Sequence, residues 1–302
     1  AWRRAIGRSR PRFAPLDCEG GDVLFVVARG PEDLALAAAI PDVRRRFGRI
    51  QAFVTDTYFH PGYVRETALY DAITVTAHED IAYPSDRFGI AVHHLHQGAD
   101  TLRWAPRADG PRGIDVIAYG RTPPSVLGAL QRRFHDAASP HLYLHSPLGS
   151  LAGSTVHLER GMLFKLLQRT SVSLAYHLLV EPQGDRPRSM MVTSRWLESL
   201  LAGCIVAGRR PVSRMADEML DWPGATVELP QEPEAAVDAL QDLLARGDAL
   251  QAQRRLNIAN MLSRHDWRHR IADLCRLMDW PRPARLDDEL GELTALEARW
   301  RG

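Results

Sequence analysis

Residues 105–123 read Ala105-Pro-Arg-Ala-Asp-Gly-Pro-Arg-Gly113, then Ile114-Asp-Val-Ile-Ala-Tyr119, then Gly120-Arg121-Thr122-Pro123. The first nine residues are polar and rich in proline and glycine, the composition of a linker. The next six are a short apolar run bounded by turn residues, which reads as a buried strand. Upstream of this joint, strands are expected at 22–28, 50–55, 72–76 and 90–95, with helical segments at 32–39 and 62–70. Downstream the alternation restarts: helix 123–136, strand 141–144, helix 158–169, strand 172–176, helix 196–202, strands 204–207 and 226–229. From Glu232 onward every segment has helical periodicity, at 234–245, 249–263, 267–278 and 287–300.

Strands alternating with helices predict parallel sheets with helical crossovers. The expected fold is therefore α/β, with two Rossmann-like domains facing a cleft and closed by C-terminal helices. The boundaries follow from the joint: a first domain over 1–108, a second over 109–283 and a last helix over 284–302, expected to pack back on the first domain. Its Leu286, Leu290, Leu293, Leu296 and Trp300 form one apolar stripe. In such sheets ligands bind beyond the carboxyl ends of the strands, so the residues just after each strand are the ones to inspect.

Composition narrows the classes. With 38 basic against 37 acidic side chains in 302 residues, the molecule has no overall field for nucleic acid. No run is long and apolar enough to span a bilayer. Residues 1–13 are Arg-rich and lack the apolar core of a secretory signal; such a segment is suited to peripheral contact with acidic lipid, or to a disordered basic end. The first residue is not Met, so a trimmed start is expected. Three widely spaced cysteines, Cys18, Cys204 and Cys275, form no C-x-x-C pair, and a reducing, cytoplasmic setting is expected.

Two post-strand segments carry phosphate chemistry. Gly120 lets a ligand approach the backbone, and Arg121 offers paired donors suited to a diphosphate. In Thr193-Ser194-Arg195-Trp196-Leu197-Glu198, Thr193 or Ser194 can cap a helix whose free N–H groups suit a pyrophosphate. Arg195 and Glu198, three apart, share a helix face. Each segment also reads more plainly, as a strand-to-helix turn and as a surface Arg–Glu pair.

The order of these segments resembles the GT-B glycosyltransferases, in particular family 4 and the spore-maturation-protein-like group. Arg195-Trp-Leu-Glu198-Ser-Leu-Leu-Ala202-Gly203 is similar to their R-x-x-E-x-x-A-x-G run, with one residue more before Ala202. Gly120-Arg121 is similar to their Gly-Arg element. Residues 73–78 with Leu95-His-Gln-Gly98-Ala-Asp100 are similar to the run closing their first domain, and Arg264-His265-Asp266-Trp267-Arg268-His269-Arg270 to their late cluster. The resemblance spans roughly residues 20–280. It implies a hexosyltransferase that takes a UDP- or GDP-sugar in the second domain and an acceptor (glycan, lipid-linked, peptide or small molecule) in the first, needs no cofactor, and transfers with retention and no obligatory metal. In that scheme Glu198 binds ribose while Arg121 and Arg195 neutralise the leaving diphosphate. One departure is Met190, where family 4 members often carry a second glutamate.

Asp56 and His60, after the second strand, are candidates for positioning or deprotonating the acceptor hydroxyl; Asp56 as a helix cap and His60 as a surface residue is the plainer alternative. His145, at another strand end, opens a polar loop suited to the nucleotide or sugar. His94 and His96 share one side of a strand, and His78 is a further histidine, but no carboxylate or cysteine completes a site, so no metal is expected. Two other functions stay open: a degenerate member that binds a nucleotide sugar or partner without catalysis, and a nucleotide-sugar 2-epimerase. The latter requires acidic and histidine residues crowding the cleft from both domains.

Overall fold

The computed structural model describes residues 13–145, 156–177 and 190–302. The Arg-rich start (1–12) and the polar loop after His145 (146–155) lie outside the described residues. Two parallel sheets organise the rest. The first contains β1 (Gly21–Ala28), β2 (Phe47–Val54), β3 (Ala72–Val75) and β4 (Ala91–His94) in spatial order 1-2-3-4. Its connections include α1 (Val43–Arg46) and α2 (Ala82–Phe88), and α3 (Thr101–Trp104) follows β4.

The helix expected at 32–39 is a 3-10 segment, Pro31–Ala39, and that at 62–70 is two shorter ones, His60–Gly62 and Arg65–Leu69. The tighter winding shows in bonds such as Asp33 N–H to Gly30 O.

In an all-parallel sheet of this order, right-handed crossovers fall on one face. The core agrees: Val26, Ile50, Ala52, Val54, Ile73 and Val75 pack with Leu34, Ala37, Val43 and Tyr70 from the connections. The opposite face is left to be covered from elsewhere.

The second sheet runs β6 (Tyr143–His145), β5 (Ile114–Ala118), β7 (Thr170–Tyr176), β8 (Ile205–Arg209), β9 (Val227–Glu228). Its helices are α4 (Pro124–Phe134), α5 (Val156–Leu167), α6 (Ser194–Leu201) and α7 (Arg214–Met219), followed by α8 (Pro233–Leu244), α9 (Asp248–Arg264), α10 (Trp267–Leu277) and α11 (Ala284–Arg301). Both faces are covered: α4 and α8 lie on Val116, Val172, Leu174 and Ile205, and α5 packs its Leu163 and Leu167 on Ile117 from the other side. That double burial is why β7 is buried along its whole length. The strand order reverses between β5 and β7, which opens a crevice at their carboxyl ends. The helix α7, absent from the sequence reading, starts at Ser213, whose side chain caps the Ala216 N–H.

Residues 105–113 carry no helix or strand and join the two sheets. The chain then returns. Ala99 exchanges backbone hydrogen bonds with the segment around Asp266, and a side chain at Gly98 would press on His265 O and Trp267 N at 3.1 Å. From this crossing α10 covers the open face of the first sheet. Trp267 meets Phe53 edge-on at 5.7 Å, Trp280 meets Phe25 at 5.0 Å, and the Trp280 N–H donates to Gln51 at 2.7 Å. The last helix, α11, packs on α9 and reaches the end of the first half at α3.

Candidate functional site

The crevice at β5 and β7 gathers most of the sequence candidates. Tyr119, Gly120 and Arg121 leave the end of β5, and His145 sits beside them, paired in register with Ala118. Gly120 has φ +96°, a left-handed backbone that favours glycine, and a Cβ there would lie 2.1 Å from Arg195 Nη2. The glycine thus admits the Arg195 guanidinium, which donates to Arg121 O at 3.2 Å and lies over the Tyr119 ring. Desolvation lowers the pKa of Arg195, and the side chain remains a cation because arginine titrates far above neutrality. Arg121 is exposed.

Arg195 enters from the first turn of α6. Thr193 is the N-cap residue by backbone conformation, but its hydroxyl makes no capping bond and has no partner among the described residues. Ser194 is exposed. One turn in, Glu198 is only 3% exposed. One carboxylate oxygen is paired with Arg160 of α5, and the other accepts from the Tyr119 hydroxyl at 3.5 Å. The same hydroxyl is 3.0 Å from Ser199 Oγ, which is 2.8 Å from Ser173 Oγ. Burial, with the Glu198 carboxylate close by, raises the Tyr119 pKa well above its ordinary value and keeps it a donor. Arg195 and Glu198 therefore part company: the cation lines the crevice, and the carboxylate is tied to Arg160 and Tyr119 beneath it. Arg160 has no signal in the sequence, and Tyr119 stands there only as the start of the Gly120-Arg121 segment, because their contacts with Glu198 span 38 and 79 residues.

Asp56 follows β2 and faces this crevice from the first half. It is exposed at the surface, yet partial desolvation raises its pKa, opposed by the charges of Arg29 and Arg121. Tyr58 responds to the same groups, desolvation and Asp56 raising it and Arg121 lowering it, and it packs against the core cluster of the second half. Asp56 and Arg121, from opposite halves, thus lie near enough for their charges to act on each other. His60 is not brought with them. It is buried, neither cleft-facing nor on the surface: Nε2 is 2.8 Å from Asp80 Oδ1, and the ring stacks on Tyr83. Asp80 also accepts from Thr57 Oγ1 at 2.6 Å, so His60 braces the loop that carries Asp56.

A second cluster lies where the two halves meet. His78 follows β3, and His94 and His96 lie at and just beyond the end of β4. The His78 and His94 rings stack at 3.6 Å, and His96 stands edge-on to His94 at 4.3 Å. Glu218 of α7, in the second half, places Oε2 at 3.1 Å from His78 Nε2 and 2.9 Å from His96 Nε2. Its Oε1 accepts from Arg214 at 2.7 Å. Burial pushes His94 down to about 4 and His96 to about 3. Against burial, Arg214 and His78 hold Glu218 down to about 2. The sequence sets no carboxylate beside these histidines, which argues against a metal. The fold supplies one, 140 residues from His78, on a helix the sequence reading left unassigned.

Residues 128–276 match a family model described as glycosyl transferase-like. The match begins within α4 and ends within α10, so it takes in Arg160, Arg195, Glu198 and Glu218 and stops short of Gly120 and Arg121. No curated protein matches the chain. The family match supports a glycosyltransferase family and a transferase role, and the two Rossmann-like sheets are consistent with the GT-B architecture. No helix among the described residues is long and apolar enough to cross a membrane.

Proposed function

We propose that this glycosyltransferase-like chain binds a nucleotide-sugar donor, a UDP- or GDP-sugar, in the crevice between β5 and β7 and transfers its hexose to an acceptor held by the first half. The observation that carries the reading is the meeting of Arg121 and Arg195 at the switch point of the second sheet, opposite Asp56 of the first. Loss of a nucleoside diphosphate builds negative charge on the leaving oxygens. The Arg195 guanidinium, held by Arg121 O and the Tyr119 ring before the reaction, stabilises that charge without reorganising, and the exposed Arg121 guanidinium adds to it, so the diphosphate itself needs no metal. The first turn of α6, with Thr193 and Ser194, adds free N–H groups to the same end.

Asp56 accepts from the acceptor hydroxyl and positions it, while His60 acts indirectly by bracing the 56–60 loop through Asp80 and Thr57. His145 lies on the nucleotide side. For Glu198 to bind the ribose hydroxyls, Arg160 must swing away. Arg160 is half-exposed and free at its outer side to do so. With both anomeric bonds handled on the donor face, the donor phosphate assists the incoming hydroxyl and configuration is retained.

A thermal-shift panel of UDP, GDP, dTDP and CDP tests the site. One nucleotide at about 100 times its Kd should add about 2.7 kcal/mol of stability. Arg121→Ala, a change at an exposed side chain, should abolish that shift while leaving the unliganded Tm in place. A flat panel with the wild-type protein removes the donor reading. Slow hydrolysis of the matching nucleotide sugar distinguishes the enzyme from a protein that only binds it.

A further inference from the structure

The histidine cluster between the two halves does not take part in the donor chemistry above, and it brings ring nitrogens and a carboxylate within a few ångströms of one another. We propose that His78, His94 and Glu218 form a binding site for a divalent transition-metal ion such as Zn2+, bridging the two domains at the base of the cleft. One ligand atom from each of the three lies within 4.8 Å of the others. A four-coordinate zinc with bonds near 2.0–2.2 Å needs its ligand atoms a little over 3 Å apart, and His78 Nε2 to Glu218 Oε2 is 3.1 Å.

The hydrogen bonds around the cluster assign lone pairs. His94 Nε2 is 3.2 Å from Thr76 O; a carbonyl only accepts, so Nε2 carries the hydrogen and Nδ1 the lone pair. A ligand imidazole oriented by a backbone carbonyl through its other nitrogen is the usual support of a metal site. His96 donates Nε2–H to Glu218 Oε2 at 2.9 Å, which leaves its own Nδ1 buried without a donor among the described residues. His96 and Arg214 between them hold both oxygens of Glu218 and fix the carboxylate. Nitrogen and carboxylate donors in this ratio suit zinc and its neighbours rather than calcium or magnesium.

The side chains of His78 and Glu218 are 22% and 34% exposed, so an ion can enter from the cleft. On binding, the His78 and His94 rings turn out of their stack so that both lone pairs point at the ion, and the His78 hydrogen moves from Nε2 to Nδ1, which keeps the ligand a neutral imidazole. Three protein ligands leave a fourth position for water or a substrate hydroxyl. Because two ligands come from the first half and one from the second, the ion also clips the domains together.

The test uses the full chain stripped with a chelator. Zn2+ titrated against a chromophoric competitor should bind with one equivalent. Glu218→Gln and His94→Ala should each weaken that binding by about 100-fold or more, while His141→Ala, remote from the cluster, leaves it unchanged. Co2+ substituted for Zn2+ in the wild-type protein should give the intense visible bands of a four-coordinate nitrogen–oxygen site. That measurement stands even if a variant fails to fold. Wild-type affinity no tighter than that of Glu218→Gln, or only the weak bands of hydrated Co2+, overturns the proposal. Neither outcome bears on nucleotide binding, which the thermal-shift panel reads independently.

Discussion

Asp56 is held in an environment that favours its neutral form, and the sign of that preference can be tested. A carboxyl whose folded pKa is raised disfavours folding once the pH exceeds its unfolded value near 4. Below that value both states are protonated and the effect vanishes. Asp56→Asn should therefore raise the Tm at neutral pH, with the gain fading as the pH falls below about 4, while transfer falls by about 100-fold or more. A Tm difference independent of pH would show that desolvation of Asp56 is not its source. Arg160 and Glu198 make an asymmetric pair for the same kind of reason. Arg160→Ala strands a carboxylate that is almost fully buried, and should cost about 2–4 kcal/mol. Glu198→Gln leaves a half-exposed guanidinium that water can reclaim, and should cost about 1–2 kcal/mol. Urea titration of the two variants orders them; a greater loss in Glu198→Gln would mean the carboxylate is not sealed beneath the crevice.

At the scale of elements, the decisive joint is where the chain after β4 meets the start of α10. Asp266 is fully buried and accepts from Thr101 N–H at 2.7 Å, from Thr101 Oγ1 at 2.6 Å and from Arg268 N–H at 2.7 Å. It thus caps α10 and ties that cap to α3 at once, while Arg268 links it to Asp100 and Glu289. Asp266→Asn keeps the shape but replaces one accepting oxygen by a donor, and should lower stability by about 2–4 kcal/mol in chemical denaturation. A loss under about 0.5 kcal/mol, the size expected of a surface change, would mean the joint is not what holds the helix. The helix α7 shows the opposite case. Six residues long and carrying one polar cap, it has too little periodicity to stand out in sequence, yet it positions Glu218.

At the scale of the molecule, the first sheet cannot be sealed by its own connections, because they all lie on one face. Its other face is built by Trp267, Leu274, Met278 and Trp280, residues more than 200 positions downstream of Phe53. The two halves should therefore unfold in one calorimetric transition. Trp280→Ala, which removes a contact with Phe25 and a bond to Gln51, should lower that single transition rather than split it. Two separated transitions would show halves that fold alone.

How much was legible follows from how far apart the cooperating residues lie. Strand positions and their parallel order of appearance were readable, because apolar runs are local properties. So was the presence of Gly120, Arg121, Arg195 and Asp56 at strand or helix ends. Local sequence did not reveal the 3-10 winding at Pro31–Ala39, nor that His60 turns inward to Asp80. It equally left out the sealing of Glu198 by Arg160 and Tyr119, and the arrival of Glu218 at three histidines of the other half. Alternation of apolar and polar residues along one chain was enough to specify two parallel α/β halves, since it acts between neighbours in sequence. Which charges meet across the cleft was decided only when the chain returned through Asp266, because electrostatics and burial depend on distance in space.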